Sequence, residues 1–110
     1  TQEIAAIVSR FGAAFQTRRI EEVRKVFPNM TNNAAQRWES LLTEKAISEL
    51  TARASMTEPP EFSGDDATVA FTMKMDYRIG GTRQSPSFQY VGKLRRDSGR
   101  WRMVEVKAAT

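Results

Sequence analysis

The sequence contains no cysteine and no histidine. The first absence excludes disulfides and thiol catalysis and leaves the redox compartment open. The second removes the commonest general base near neutral pH and the commonest metal ligand. No metal site and no cofactor are therefore expected. No apolar run approaches the ~18–20 residues of a membrane span, and no signal-peptide pattern precedes the first helical stretch. What is present is ordinary for a globular protein: 110 residues, 40% hydrophobic and 27% charged, enough for one domain, residues 1–110, around its own core. The chain opens on Thr1 rather than Met, as expected of a domain cut from a longer protein or of a processed product.

Charge is unevenly placed. Residues 1–65 carry eight basic and nine acidic side chains, net −1, while residues 66–110 carry nine and four, net +5. The basic excess falls where the sequence reads as sheet. Such a surface could attract nucleic acid or an anionic membrane, but spread over several strands it reads as a solvated face.

The first half has helical spacing. Ile4, Ile7, Val8, Phe11, Ala14 and Phe15 form one stripe, which predicts an amphipathic helix over about Gln2–Arg18. Gly12 within it costs up to about 1 kcal/mol relative to Ala, a loss that close packing of another element would offset. Ile20, Val23, Val26 and Phe27 form a shorter stripe. Glu21 and Glu22 in its first turn and Arg24 and Lys25 in its last complement the helix dipole, and Pro28 ends it. Thr31, Asn32 or Asn33 caps a third helix, whose inner face is read as Trp38, Leu41, Leu42 and Lys45.

From Leu50 onward the period changes to two. Leu50, Ala52, Ala54 and Met56 predict a first strand, and Glu58–Gly64, with Pro59-Pro60, a loop. Val69, Phe71, Met73, Met75 and Tyr77 then alternate with Thr68, Ala70, Thr72, Lys74 and Asp76, the signature of a strand with one buried face. Gly80-Gly81 supplies the positive φ of a hairpin turn. A third strand over Gln84–Arg96 sends Phe88, Tyr90 and Leu94 inward, Asp97-Ser98-Gly99 turns the chain, and Trp101–Lys107 is the fourth strand. Three helices before a four-stranded antiparallel meander give an α+β domain, with the helices on one sheet face. Phe71 and Trp101 are expected in that interface.

Four stretches carry a family resemblance: Phe15-Gln16-Thr17-Arg18-Arg19-Ile20-Glu21-Glu22-Val23, Phe27-Pro28, Gly64-Asp65-Asp66-Ala67-Thr68-Val69, and Leu94-Arg95-Arg96-Asp97-Ser98-Gly99-Arg100-Trp101-Arg102-Met103-Val104. Together they make the chain resemble the nuclear transport factor 2-like superfamily, which includes the SnoaL-like domains. The resemblance implies a cone-shaped fold of three helices on a curved four-stranded antiparallel sheet, and pairing into homodimers through the outer sheet face. It is nearly silent about function. The chain looks most like the compact accessory domains of larger bacterial proteins, such as the extracytoplasmic parts of receptor-like serine/threonine kinases. The compartment is then extracytoplasmic, or cytoplasmic if the parent is not membrane-anchored.

Enzymes of this superfamily place acid/base groups within the cone. Here the alternation turns Asp76 outward, toward an Arg or Lys across the sheet, unless a bulge re-aims it. Glu105 is less determined, because Trp101/Met103 and Val104/Val106 offer two apolar registers in the last strand. No catalytic residue is assigned. The expected pocket comprises Phe15, Trp38, Met73, Tyr77, Gln84, Phe88 and Tyr90, suited to a small apolar ligand with few polar contacts; Met73 and Met75 are also good core fillers. Lys93, Arg95, Arg96, Arg100 and Arg102 crowd the last hairpin around Trp101, a composition that can hold phosphate or bases, yet no recognition motif accompanies it. Asn29-Met30-Thr31 matches a glycosylation acceptor by a short pattern alone.

Three functions follow in order: a non-catalytic accessory or sensory domain binding a small apolar ligand or a protein partner; a small SnoaL-like isomerase or hydrolase using Asp76 with Tyr77 or Tyr90; and an anion or nucleic-acid binder working through the basic hairpin. A homodimer through Thr68, Ala70, Thr72, Ser85, Ser87, Gln89 and Val91 is expected, since that face carries little charge.

Overall fold

The computed structural model describes residues 2–109. Three helices, α1 (Gln2–Gln16), α2 (Ile20–Val26) and α3 (Asn32–Leu42), precede six strands: β1 (Ile47–Met56), β2 (Glu61–Ser63), β3 (Asp66–Ile79), β4 (Thr82–Gln84), β5 (Ser87–Asp97) and β6 (Arg100–Ala108). The four long strands are those read from the sequence, in the antiparallel order β1-β3-β5-β6. Two short strands add to them. β2 forms inside the expected Glu58–Gly64 loop and pairs with the start of β3. β4 pairs Gln84 with Tyr77 and is separated from β5 at Pro86, whose ring removes a ladder N–H. The continuous strand expected over Gln84–Arg96 is therefore two strands.

The helices end where local chemistry ends them. Thr31 caps α3 by accepting a hydrogen bond from the Ala34 N–H at 3.2 Å. α3 stops at Leu42, so Lys45 lies beyond it and is exposed rather than on an inner face. α1 stops at Gln16, two residues short of expectation, because Arg18 takes a left-handed backbone with φ 62°. An L residue adopts that conformation only at a cost, and its side chain shows the compensation. The Arg18 guanidinium donates to the carbonyls of Leu42, Glu44 and Ile47, each at 2.7 Å. One side chain thus ties the end of α1 to the end of α3 and the start of β1.

α1 bridges the sheet from edge to edge. Near its start Glu3 accepts from the Trp101 N–H of β6 at 2.9 Å, and at its end Gln16 accepts from the Ala52 N–H of β1 at 3.1 Å. Fifteen residues of helix span about 22 Å, more than the roughly 14 Å across four strands, so a diagonal crossing fits. These bonds also occupy N–H groups on both edge strands, which would otherwise recruit another chain. Gly12 is the point of closest approach. A Cβ there would lie 2.3 Å from the Ala54 nitrogen and 2.8 Å from the Ala54 Cβ, so α1 rests on β1 through Gly12, Ala52 and Ala54.

Flanking Gly12, Phe11 and Phe15 enter a closed ring of six aromatics. Consecutive centroid distances around Phe11, Phe15, Trp38, Phe88, Tyr90 and Phe71 run from 4.6 to 6.2 Å. Such pairs contribute about 0.5–1.5 kcal/mol each beyond their buried area. Phe71 is fully buried in this interface. Trp101 is only half-buried; it lies at the sheet edge between Phe62, at 5.7 Å, and the Arg96 guanidinium, at 5.5 Å. Its pairing with Arg96, beside the β5–β6 turn, places the tryptophan at the end of the sheet rather than over its centre.

Gly12→Ala tests the close approach by its sign. On an open helix the change stabilises by up to about 1 kcal/mol; against Ala54 it overpacks the interface and costs about 1–3 kcal/mol. Urea midpoints distinguish the two, and a more stable variant contradicts the packing described.

Candidate functional site

Between α3 and the β5–β6 half of the sheet lies an open cavity of about 960 Å³. α3 supplies one wall through Ala34, Arg37, Trp38 and Leu41, spaced i, i+3, i+4 and i+7 on one helical face. Phe27 and Met30 close one end, and Phe88, Tyr90, Val104 and Val106 form the floor. Phe11 reaches it from α1.

Of the seven residues proposed from the sequence, Trp38, Phe88 and Tyr90 line this cavity. Phe15 and Met73 have no exposed surface; they lie in the core, and Phe15 supports Trp38 from behind at 4.6 Å. Tyr77 is half-buried beyond the cavity lining, because α1 and β1 cover that end of β3. Gln84 is exposed on β4. The α3 stripe could have been read from its spacing. The contribution of β6 could not, because it depends on a bulge.

That bulge settles the facing of Glu105. Leu94 pairs with Met103 but Lys93 pairs with Glu105, leaving Val104 as the extra residue. Met103 and Val106 consequently both face inward, which reconciles the two apolar registers, and the Glu105 side chain goes to the outer face with Lys93. There its carboxylate lies 3.3 Å from Lys107 and 3.6 Å from Lys93. Hydrogen bonding from Lys107 holds it below the usual carboxylate range; desolvation opposes this, and the charges of Lys107 and Lys93 add to it. Glu105 and Lys107 therefore border the cavity on an edge strand with their charged groups paired to one another.

Asp76 also points away from the cavity. Its carboxylate takes a bidentate pair of hydrogen bonds from Arg83, one at 3.0 Å. Those bonds are the main reason its pKa is lowered; partial burial opposes them, while the Arg83 charge, a Ser85 hydrogen bond and the Arg78 charge add to them. Tyr90 differs. Burial pushes its phenol up, so it remains protonated near neutral pH. Among the described residues its hydroxyl has no hydrogen-bond partner within the protein, leaving an O–H donor at the cavity wall.

The basic hairpin is largely neutralised. Arg95 pairs with Asp66 at 3.2 Å, Arg96 with Asp65 at 3.0 Å and Arg102 with Asp97 at 3.5 Å. Three of its arginines are thus paired locally with aspartates from β3, the turn before it and the end of β5. Asn29 donates to the Val104 carbonyl at 3.3 Å, so its amide is occupied in holding the α2–α3 loop to β6. Among the described residues no group of three or more acidic side chains is placed to hold a metal ion, and no helix is long and apolar enough to cross a membrane.

Replacing Arg83 with Gln should raise the Asp76 pKa toward the ordinary carboxylate value in a carbon-detected NMR titration. A lowered pKa stabilises the fold above the ordinary value and loses that stabilisation as pH falls through the lowered one. Arg83→Gln should accordingly flatten the acid limb of stability against pH. An unmoved Asp76 titration contradicts the pairing.

No family model matches the sequence, and no curated protein is detectably similar to it. Solved structures do share its fold. A nuclear transport factor 2-like superfamily protein from Salmonella enterica is 16% identical, aligned over 98% of this chain and 88% of its own, with a TM-score of 0.72. A candidate calcium/calmodulin dependent protein kinase II association domain from Xanthomonas campestris is 16% identical over 97% of this chain and 84% of its own, with a TM-score of 0.66. A candidate scytalone dehydratase from Novosphingobium aromaticivorans is 15% identical over 99% and 83%, also with a TM-score of 0.66. At these identities the likeness is one of fold. Three helices on a curved antiparallel sheet, enclosing a cavity between them, give this chain the nuclear transport factor 2-like, cystatin-like α+β fold.

Proposed function

We propose that residues 1–110 form one non-catalytic accessory domain of a larger bacterial protein, and that it binds a small apolar ligand in the cavity beneath α3. The observation that carries this reading is an open, aromatic-lined cavity whose bordering carboxylate, Glu105, is ion-paired, while Asp76 lies away from it, paired with Arg83. A general base must reach the proton it removes, so neither serves as one from its present position. Dehydratase chemistry, the activity named for the Novosphingobium neighbour, would need such a group. The association domain named for the Xanthomonas neighbour fits an interaction role more easily. The cavity volume falls within the usual range of small-molecule sites.

Assembly belongs to the same proposal. Thr68, Ala70, Thr72, Gln89 and Val91 form an uncharged patch at the centre of the outer sheet face, with Ala70 opposite Val91 and Thr72 opposite Gln89. A second copy packed there would form a two-fold dimer. Light scattering at high micromolar concentration should then give about twice 12.5 kDa; a species of 12.5 kDa alone contradicts the dimer.

Binding is tested with N-phenyl-1-naphthylamine, an uncharged apolar fluorophore, read by quenching of Trp38 in a Trp101→Phe background. Saturable binding is expected, and Ala34→Trp, which fills the cavity from the half-buried α3 face and is read by the emission of the probe itself, should abolish it while retaining the thermal midpoint. Undiminished binding by Ala34→Trp would place the probe elsewhere and defeat the reading.

A further inference from the structure

Resting on that ligand-binding reading, we infer that the cavity selects apolar molecules bearing one anionic head group, with Arg37 as the residue that receives it. Arg37 belongs to the cavity-facing stripe of α3 together with Ala34, Trp38 and Leu41. It also borders the shallow polar depression formed by Asn33, Gln36 and Ser40, which puts it at the lip between cavity and solvent. Among the described residues its guanidinium makes no salt bridge. Most other arginines of the chain are committed: Arg18 to three carbonyls, Arg78 to Glu49, Arg83 to Asp76, and Arg95, Arg96 and Arg102 to aspartates.

The sign of the cavity follows from the facing of its charged side chains. Glu105, the carboxylate bordering the cavity among the described residues, faces out with Lys93 and is held by Lys107 and Lys93, so it does not pair with Arg37. Arg37 therefore supplies a cation at the entrance of an apolar, low-dielectric space. The guanidinium fork matches a carboxylate geometrically and can bind it through two parallel hydrogen bonds. Its alkyl stem packs along apolar surface while the head stays at the rim. The body of the ligand then lies against Trp38, Phe88 and Tyr90, and the neutral Tyr90 phenol adds one donor to a polar atom carried deeper in. An uncharged hydrocarbon uses only the aromatic walls. A cation meets Arg37 with like charge and is rejected.

The experiment compares decanoate with 1-decanol, which share a chain and differ in head-group charge, by calorimetry near neutral pH. Decanoate should bind about tenfold more tightly, the worth of one charge-assisted hydrogen-bonded pair. Raising salt from about 50 to about 500 mM should weaken decanoate and leave decanol nearly unchanged, since screening acts only on the charged head. Arg37→Met, which keeps the stem and removes the charge, should bring decanoate to the affinity of decanol, and Arg37→Lys should restore part of the preference. Equal affinity of the two probes in the unaltered protein overturns the inference while leaving an apolar pocket in place. A preference that survives Arg37→Met assigns the head group to another residue and overturns it as well. Failure of both probes to bind defeats the pocket reading itself. The salt comparison needs no variant, so the test stands even if Arg37→Met folds poorly.

Discussion

The approach of Gly12 to Ala54 is the contact on which the remaining geometry depends. Glycine in mid-helix is unfavourable on propensity alone, and here the absence of a side chain lets α1 lie directly on β1. With the helix axis held at that distance, Phe11 and Phe15 on either side of Gly12 reach into the core and meet Phe71 and Trp38. The two ends of the helix then reach opposite edges of the sheet, Glu3 at Trp101 and Gln16 at Ala52. Arg18 completes the arrangement by drawing the end of α3 and the start of β1 to the end of α1.

The cavity is a consequence of where this packing stops. α1 covers the β1–β3 half of the sheet closely, whereas α3 stands over β5 and β6 and meets them mainly through Trp38 against Phe88. The aromatic ring is thereby both core and wall: Phe11, Phe15 and Phe71 are its buried members, and Trp38, Phe88 and Tyr90 are its half-buried ones. A wall built from interlocked aromatics holds its shape without a ligand, which lowers the ordering cost of binding. Among the described residues Arg37 makes no salt bridge at the rim, whereas Asp66, Asp76, Asp97 and Glu105 of the sheet are paired.

Much of this was legible in the sequence, for physical reasons that differ between elements. Strand β3 could be read because thirteen residues alternate without a break, and α1 because its stripe returns to one face through four turns. Gly12 announced itself as an unfavourable residue in a good helix. The short strands β2 and β4 were not legible, since three residues cannot establish a period and both depend on pairing with the already formed β3. Lys45 was misplaced because its spacing continues the α3 stripe although the helix ends at Leu42. Of the cavity lining, Trp38, Phe88 and Tyr90 follow from alternation and spacing, whereas the positions of Tyr77 and Gln84 depend on how far α1 and β1 cover the sheet and on the break at Pro86. Glu105 turned on a single extra residue, Val104, which no local pattern locates. Arg18 was invisible because its role lies in three carbonyls distant in sequence.

The central claim is that the ligand site is the space beneath α3 rather than the outer sheet face. The most direct measurement is a backbone amide NMR titration with N-phenyl-1-naphthylamine. The account predicts saturable shifts at Ala34, Trp38, Tyr90 and Val106, with Thr72, Asp76 and Gln89 unmoved. Shifts centred on Thr72, Asp76 and Gln89, or none that saturate, would contradict it.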